Sequence, residues 1–242
     1  PICVVGDGPG SVQITGTAGM TDCHISIEPS NDGSAQGGWP IAHLRFEDIH
    51  FVGPGKADAG GACGFKFTLA SSNPWKARVR FKNCIIFQYA GHAVEGDSFS
   101  GDVHFINTTL RNCADDGIHA VSCYDWRLID SEVGVFGGDG IYFNLGNNHR
   151  ATATYVYSNE GNGVNIENSE FHMSKGMIDN NDGHGLYYNN TWTSSQKAVT
   201  LKDISFQDNS DGAADTYSDI YVVSGANDFL KLDACNFKDA SS

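Results

Sequence analysis

Apolar positions along this chain follow a short, repeated beat. Six segments set an Asn, Asp or Gly turn before one aliphatic residue: Gly91-His92-Ala93-Val94, Asp115-Asp116-Gly117-Ile118, Gly138-Asp139-Gly140-Ile141, Gly161-Asn162-Gly163-Val164, Gly183-His184-Gly185-Leu186 and Tyr217-Ser218-Asp219-Ile220. Their aliphatic residues are spaced by 24, 23, 23, 22 and 34 residues, and an insertion rich in Asp, Gly, Ala and Ser between Asp208 and Thr216 accounts for the last interval. A second series reads apolar-polar-apolar: Leu44-Arg45-Phe46, Val79-Arg80-Phe81, Val103-His104-Phe105, Trp126-Arg127-Leu128, Phe171-His172-Met173, Val199-Thr200-Leu201 and Leu230-Lys231-Leu232. That alternation is the period of a strand with one face buried. Several of these triplets are soon followed by Asn or Asp with a small or apolar successor, as in Asn83-Cys84, Asn107-Thr108, Asp130-Ser131 and Asp203-Ile204.

No window carries an apolar stripe at helical spacing. A period near 23 residues built from short strands leaves few architectures. Leucine-rich repeats have this length but need a Leu-x-x-Leu-x-Leu skeleton, and propeller blades need roughly 40 residues. The pattern predicts an all-β, single-stranded, right-handed parallel β-helix of about eight coils, a rod on the order of 40 Å long. The whole chain, 1–242, is read as one such domain. It opens at Pro1 without a signal-peptide pattern, and neither end carries a capping element, so a longer protein or a covering subunit is expected.

Composition narrows the picture. With 29 Gly and only 6 Pro in 242 residues, the chain turns often. A net charge of −14 argues against nucleic acid as the main partner, and no apolar run is long enough for membrane insertion. The seven cysteines lack the spacing of a disulfide framework or zinc site, so most are expected as small buried hydrophobes and no metal or cofactor is expected.

The opening Val4-Val5-Gly6-Asp7-Gly8-Pro9-Gly10-Ser11-Val12-Gln13-Ile14 resembles the Gly-Asp-Gly-x-Gly-Ser-x-Thr-x-Ile segment found early in pectate-lyase-like solenoids, with Val12 in place of the usual Thr. Through its repeats the chain resembles that superfamily, above all bacteriophage tailspikes and polysaccharide depolymerases. The resemblance implies a polysaccharide partner, a homotrimer and an extracellular or virion-surface location. Asp115-Asp116-Gly117 and Gly183-His184-Gly185 look like motifs of polygalacturonase-type hydrolases, but here they lie three coils apart.

Stacking converts sequence columns into surface columns. Glu95, Asp97, Asp116, His119, Asp139, Tyr142 and Glu167 are expected on one side, over about 15 Å. Glycoside hydrolysis needs two carboxyls, and Asp116 with Asp139, assisted by Glu95, are the first candidates; the same aspartates can equally serve only to shape turns. A lyase or epimerase needs a base and an acid, which His119 and Tyr142 can supply, although Arg111, Arg127, Arg150 and Lys175 lie scattered in sequence. Tyr187 and Trp192 are candidates to stack on sugar rings, whereas Tyr188 is expected inside. A receptor-binding or spacer solenoid without chemistry is the third expectation.

Overall fold

A computed structural model describes residues 2–5, 12–27, 42–68, 77–99, 101–191, 197–209, 218–223 and 228–238. Residues 6–11, Trp192 and residues 210–217 of the insertion lie outside them. The described residues form three parallel sheets of nine, nine and eight strands and contain no helix. Each coil lays one short strand on each sheet. Val94–Asp97 runs on the third sheet, Asp102–Ile106 on the first, Thr109–Arg111 on the second, and Ile118–Val121 resumes the third. The expected solenoid is therefore the architecture found.

Corner chemistry follows from the sequence. Passing from the first sheet to the second, the chain turns through a residue with positive φ in successive coils: Asp48, Asn83, Asn107, Asp130, Ala153, Lys175, Asp203 and Ala234. Asn and Asp accept this left-handed conformation through local hydrogen bonding. Ala153, Lys175 and Ala234 do not, so stacking imposes the corner where the side chain fails to favour it.

Inward positions stack in single file. On the second sheet Ile14, Phe51, Ile86, Leu110, Val133, Val156, Ile178, Phe206 and Phe237 are successive partners. On the first, Phe46, Phe81 and Phe105 stack nearly parallel with centroids 5.2 and 5.1 Å apart. Gly96 occupies an inward position because a Cβ there would come within 2.7 Å of the buried Trp126 ring. Cys63, Cys84, Cys113 and Cys123 are buried and free, and Tyr188 is fully buried, as expected. A buried Asn file, Asn159, Asn181 and Asn209, adds amide-to-amide bonds of 2.7 and 2.8 Å between coils.

His149 is the unusual member of the core. Its ring lies flat on Phe143, centroids 3.9 Å apart, and neither ring nitrogen has a hydrogen-bond partner among the described residues. Burial pushes its pKa down to about 3, with the Lys197 charge adding to the effect. The unfolded chain binds a proton here near pH 6.5, while the folded chain binds it only near 3. Stability is therefore fully present above the upper value and is lost as pH falls towards the lower one. His149→Phe is expected to flatten this acid limb, checked by urea unfolding at about pH 7 and about pH 4.

Candidate active site

Register on the third sheet brings the outward residues of successive coils into files. One file runs Lys66, Glu95, His119, Tyr142, Asn165, Tyr187 and Tyr221. Two residues further along each strand, Thr68, Asp97, Val121, Asn144, Glu167, Asn189 and Val223 form another. Thus Glu95, His119, Tyr142 and Tyr187 share one file, and Asp97 and Glu167 share its neighbour. Trp192 lies outside the described residues.

The turn column ahead of these strands has its own logic. His92 Nδ1 accepts the Asp116 amide at 3.1 Å, and Asp116 Oδ1 accepts the Asp139 amide at 2.7 Å. Asp139 Oδ1 accepts the Asn162 amide at 2.6 Å, Asn162 Oδ1 that of His184 at 3.0 Å, and His184 Nδ1 that of Ser218 at 3.0 Å. Each side chain therefore satisfies a backbone donor of the next coil, which explains why this column tolerates His, Asp or Asn but always carries an acceptor.

This ladder separates the two aspartates that the sequence reading pairs. Asp139 is committed on both oxygens, since Asn162 Nδ2 also reaches Oδ1 at 2.9 Å and Asn165 Nδ2 reaches Oδ2 at 2.7 Å. Burial raises its pKa, against the pull of those donors. Asp116 keeps Oδ2 for chemistry, and that oxygen accepts His119 Nδ1–H at 2.7 Å. The bond leaves Nε2 as the ring nitrogen available for proton transfer. Glu95 is likewise engaged, paired with Lys66 at 3.1 Å.

Around His119 the rings form a stack. His92 lies 4.5 Å away on one side and Tyr142 4.8 Å on the other, centroid to centroid. The Tyr142 hydroxyl donates to Glu167 Oε2 at 3.3 Å and accepts from Asn144 Nδ2 at 3.0 Å. Burial raises its pKa, and the Glu167 charge raises it further. A second stack lies further along the axis, where Tyr221 faces His184 at 4.6 Å and Tyr187 at 5.7 Å. His184 thus serves its turn and this stack.

His92, Asp116 and His119 each offer one ligand atom within 4.8 Å of the others, a spacing that a divalent ion can draw together. The group is split between two coils, His92 on one and Asp116 with His119 on the next, so it does not show as a ligand spacing along the chain. Lys66 was also missed. Gly64-Phe65-Lys66 extends the Gly-then-apolar pattern one coil upstream of Val94, which is the signal that would have found it.

Residues 58–194 match a protein family described as the right-handed β-helix region. This chain belongs to that family. No curated protein matches the sequence of this β-helix closely enough to count as a relative. Among solved structures, tailspike protein 2 of Escherichia coli O157:H7 bacteriophage CAB120 is similar, with a TM-score of 0.72 at 14% identity, over 98% of this chain and 34% of the tailspike. The β-helix therefore spans about a third of that tailspike's length. The A-module of Azotobacter vinelandii mannuronan C-5 epimerase AlgE4 gives a TM-score of 0.56 at 13% identity, over 99% of this chain and 81% of the module. At these identities the likeness is one of fold.

Asp116→Ala removes the acceptor of both the His119 ring and the Asp139 amide. It is expected to cost about 1–3 kcal/mol in denaturant unfolding. Nitrogen NMR should also record His119 losing its Nδ1–H preference.

Proposed function

We propose that this β-helix is a carbohydrate-active enzyme that binds a polysaccharide along the third sheet and transfers a proton at a sugar carbon. The observation that carries the reading is the Asp116–His119 pair, in which a carboxylate fixes one ring nitrogen and leaves the other as a base. In an elimination, His119 Nε2 takes the proton on the carbon next to the uronate carboxylate. The electron pair left on that carbon forms a carbon–carbon double bond as the bond to the glycosidic oxygen breaks, and that oxygen takes a proton from Tyr142. In an epimerisation Tyr142 instead delivers a proton to the opposite face of the same carbon. Both reactions call for an acidic sugar, whose carboxylate makes the carbon–hydrogen bond acidic. Lys66, paired with Glu95, is the only Lys or Arg among the described outward residues of this sheet.

Glu95, Asp97 and Glu167 bind sugar hydroxyls in this reading, and Tyr187 and Trp192 stack on ring faces. By analogy of fold with the tailspike, the partner is a bacterial surface polysaccharide, the assembly a homotrimer, and the location extracellular or on a virion. Hydrolysis is the second reading. It is favoured by the raised pKa of Asp139, since one carboxyl must hold a proton; against it, Asp139 has both oxygens bonded and Glu95 is paired.

The test is product analysis by mass spectrometry on capsular, O-antigen and polyuronate substrates. Wild type would be run beside His119→Ala, Tyr142→Phe and Asp139→Asn. Fragments lighter by one water, absorbing in the near ultraviolet, are expected, and about 10²–10⁴-fold less of them from His119→Ala. Uncut polymer with inverted sugar centres would mark an epimerase. Fragments carrying an added water, lost in Asp139→Asn, would replace this chemistry with hydrolysis. Retention of a polysaccharide without any product would leave a receptor-binding module and sink the enzyme reading.

A further inference from the structure

Arginines that lie far apart in sequence come together on the first sheet. Its outward file runs Arg45, Arg80, His104, Arg127, Arg150, His172, Thr200 and Lys231. With Arg78 beside it, this sheet holds five of the six arginines in a chain whose net charge is −14. Arg127 and Arg150, scattered by the sequence reading, are neighbours here. The acids nearby sit mainly at its margins: Glu47 pairs with Arg45 and with Lys82, Asp102 with Arg78, and Glu170 with His172. Among the described residues no carboxylate forms an ion pair with Arg80, Arg127 or Arg150.

Two further observations describe the surroundings of this file. Arg127 Nε–H is buried and has no acceptor among the described residues. Burial lowers the pKa of His104, in the middle of the file, and the charges of Arg127, Arg80 and Arg78 lower it further against the pull of Asp102. Next along the axis, Arg150, Thr152, His172, Ser174, Thr200 and Lys202 line a groove of about 400 Å³, mixing cations with hydroxyls.

We infer that the first sheet is a second glycan-binding strip, on which the Arg80–Arg127–Arg150 file holds an acidic polysaccharide lengthwise. The inference rests on the preceding reading only for the ligand class and needs no reaction. Rungs of parallel strands recur about every 4.8 Å, so cations interrupted by His104 face the ligand roughly every 5–10 Å. A polymer with one carboxylate per sugar, or per few sugars, meets that spacing. Duplex DNA carries roughly one charge per 1.7 Å of axis, and the acidic remainder of the chain repels so dense a polyelectrolyte. The groove hydroxyls suit sugar hydroxyls in the same way.

The test uses the full chain carrying His119→Ala, so that binding is read without turnover. Polygalacturonate, alginate, neutral dextran and duplex DNA are the probes, titrated calorimetrically at low and high salt. Arg80→Gln/Arg127→Gln/Arg150→Gln on that background is expected to weaken polyuronate binding on the order of tenfold or more, and to flatten its salt dependence. The His119→Ala parent sets the reference affinity against which the triple variant is read. A triple variant with unchanged thermal melting and unchanged polyuronate affinity would overturn the inference. So would equal binding of dextran, or tighter binding of DNA. Cleavage assays of the triple variant with His119 restored report on the third sheet separately, so failure of one reading leaves the other standing.

Discussion

Everything in this molecule depends on one constraint: each coil must pair in parallel with the next, residue for residue, on three sheets at once. Backbone donors and acceptors in the interior cannot go unpaired without cost, so a coil cannot slip by one residue without turning its whole inward set outward. This is why Phe81 meets Phe105 and Val94 meets Ile118. It is also why corners at Lys175 and Ala234 adopt a conformation that their side chains do not favour. The coils register first, and the chemistry of each face follows.

The same constraint explains what could be read from the sequence. A side-chain period of two and a repeat near 23 residues are properties of the chain itself, so the solenoid and its columns were visible. The alignment of Glu95 with His119 and Tyr142, and of Asp97 with Glu167, followed from counting alone. The use of each side chain did not follow. Asp116 and Asp139 occupy equivalent places in the repeat, yet one retains a free oxygen for His119 and the other gives both oxygens to Asn162 and Asn165. That difference depends on what stands one coil away, which a single repeat does not reveal. The arginine file was missed for a related reason. The first-sheet triplets were read for their apolar flanks, whereas the residue between the flanks decides the surface.

Two faces of the rod thus carry different chemistry on a common scaffold. The third sheet gathers carboxylates, imidazoles and phenols, while the first gathers guanidinium groups, and the core between them is almost wholly apolar. Because that core separates the outward residues of the two sheets, either face can change without repacking the other. The solenoid behaves as a support with independently editable sides, which is how one fold can host many chemistries.

The turn ladder runs in one direction, each side chain serving the backbone of the coil that follows. Excising one complete repeat would preserve that relay, because any acceptor can serve any following amide. The outward files would nonetheless close up on new neighbours. Loss of the coil bearing His119 would bring Glu95 against Tyr142, and loss of the next would bring His119 against Asn165. Shortening the rod by whole turns is thus a route by which a gene can rewrite an outward face in a single deletion while leaving the interior intact.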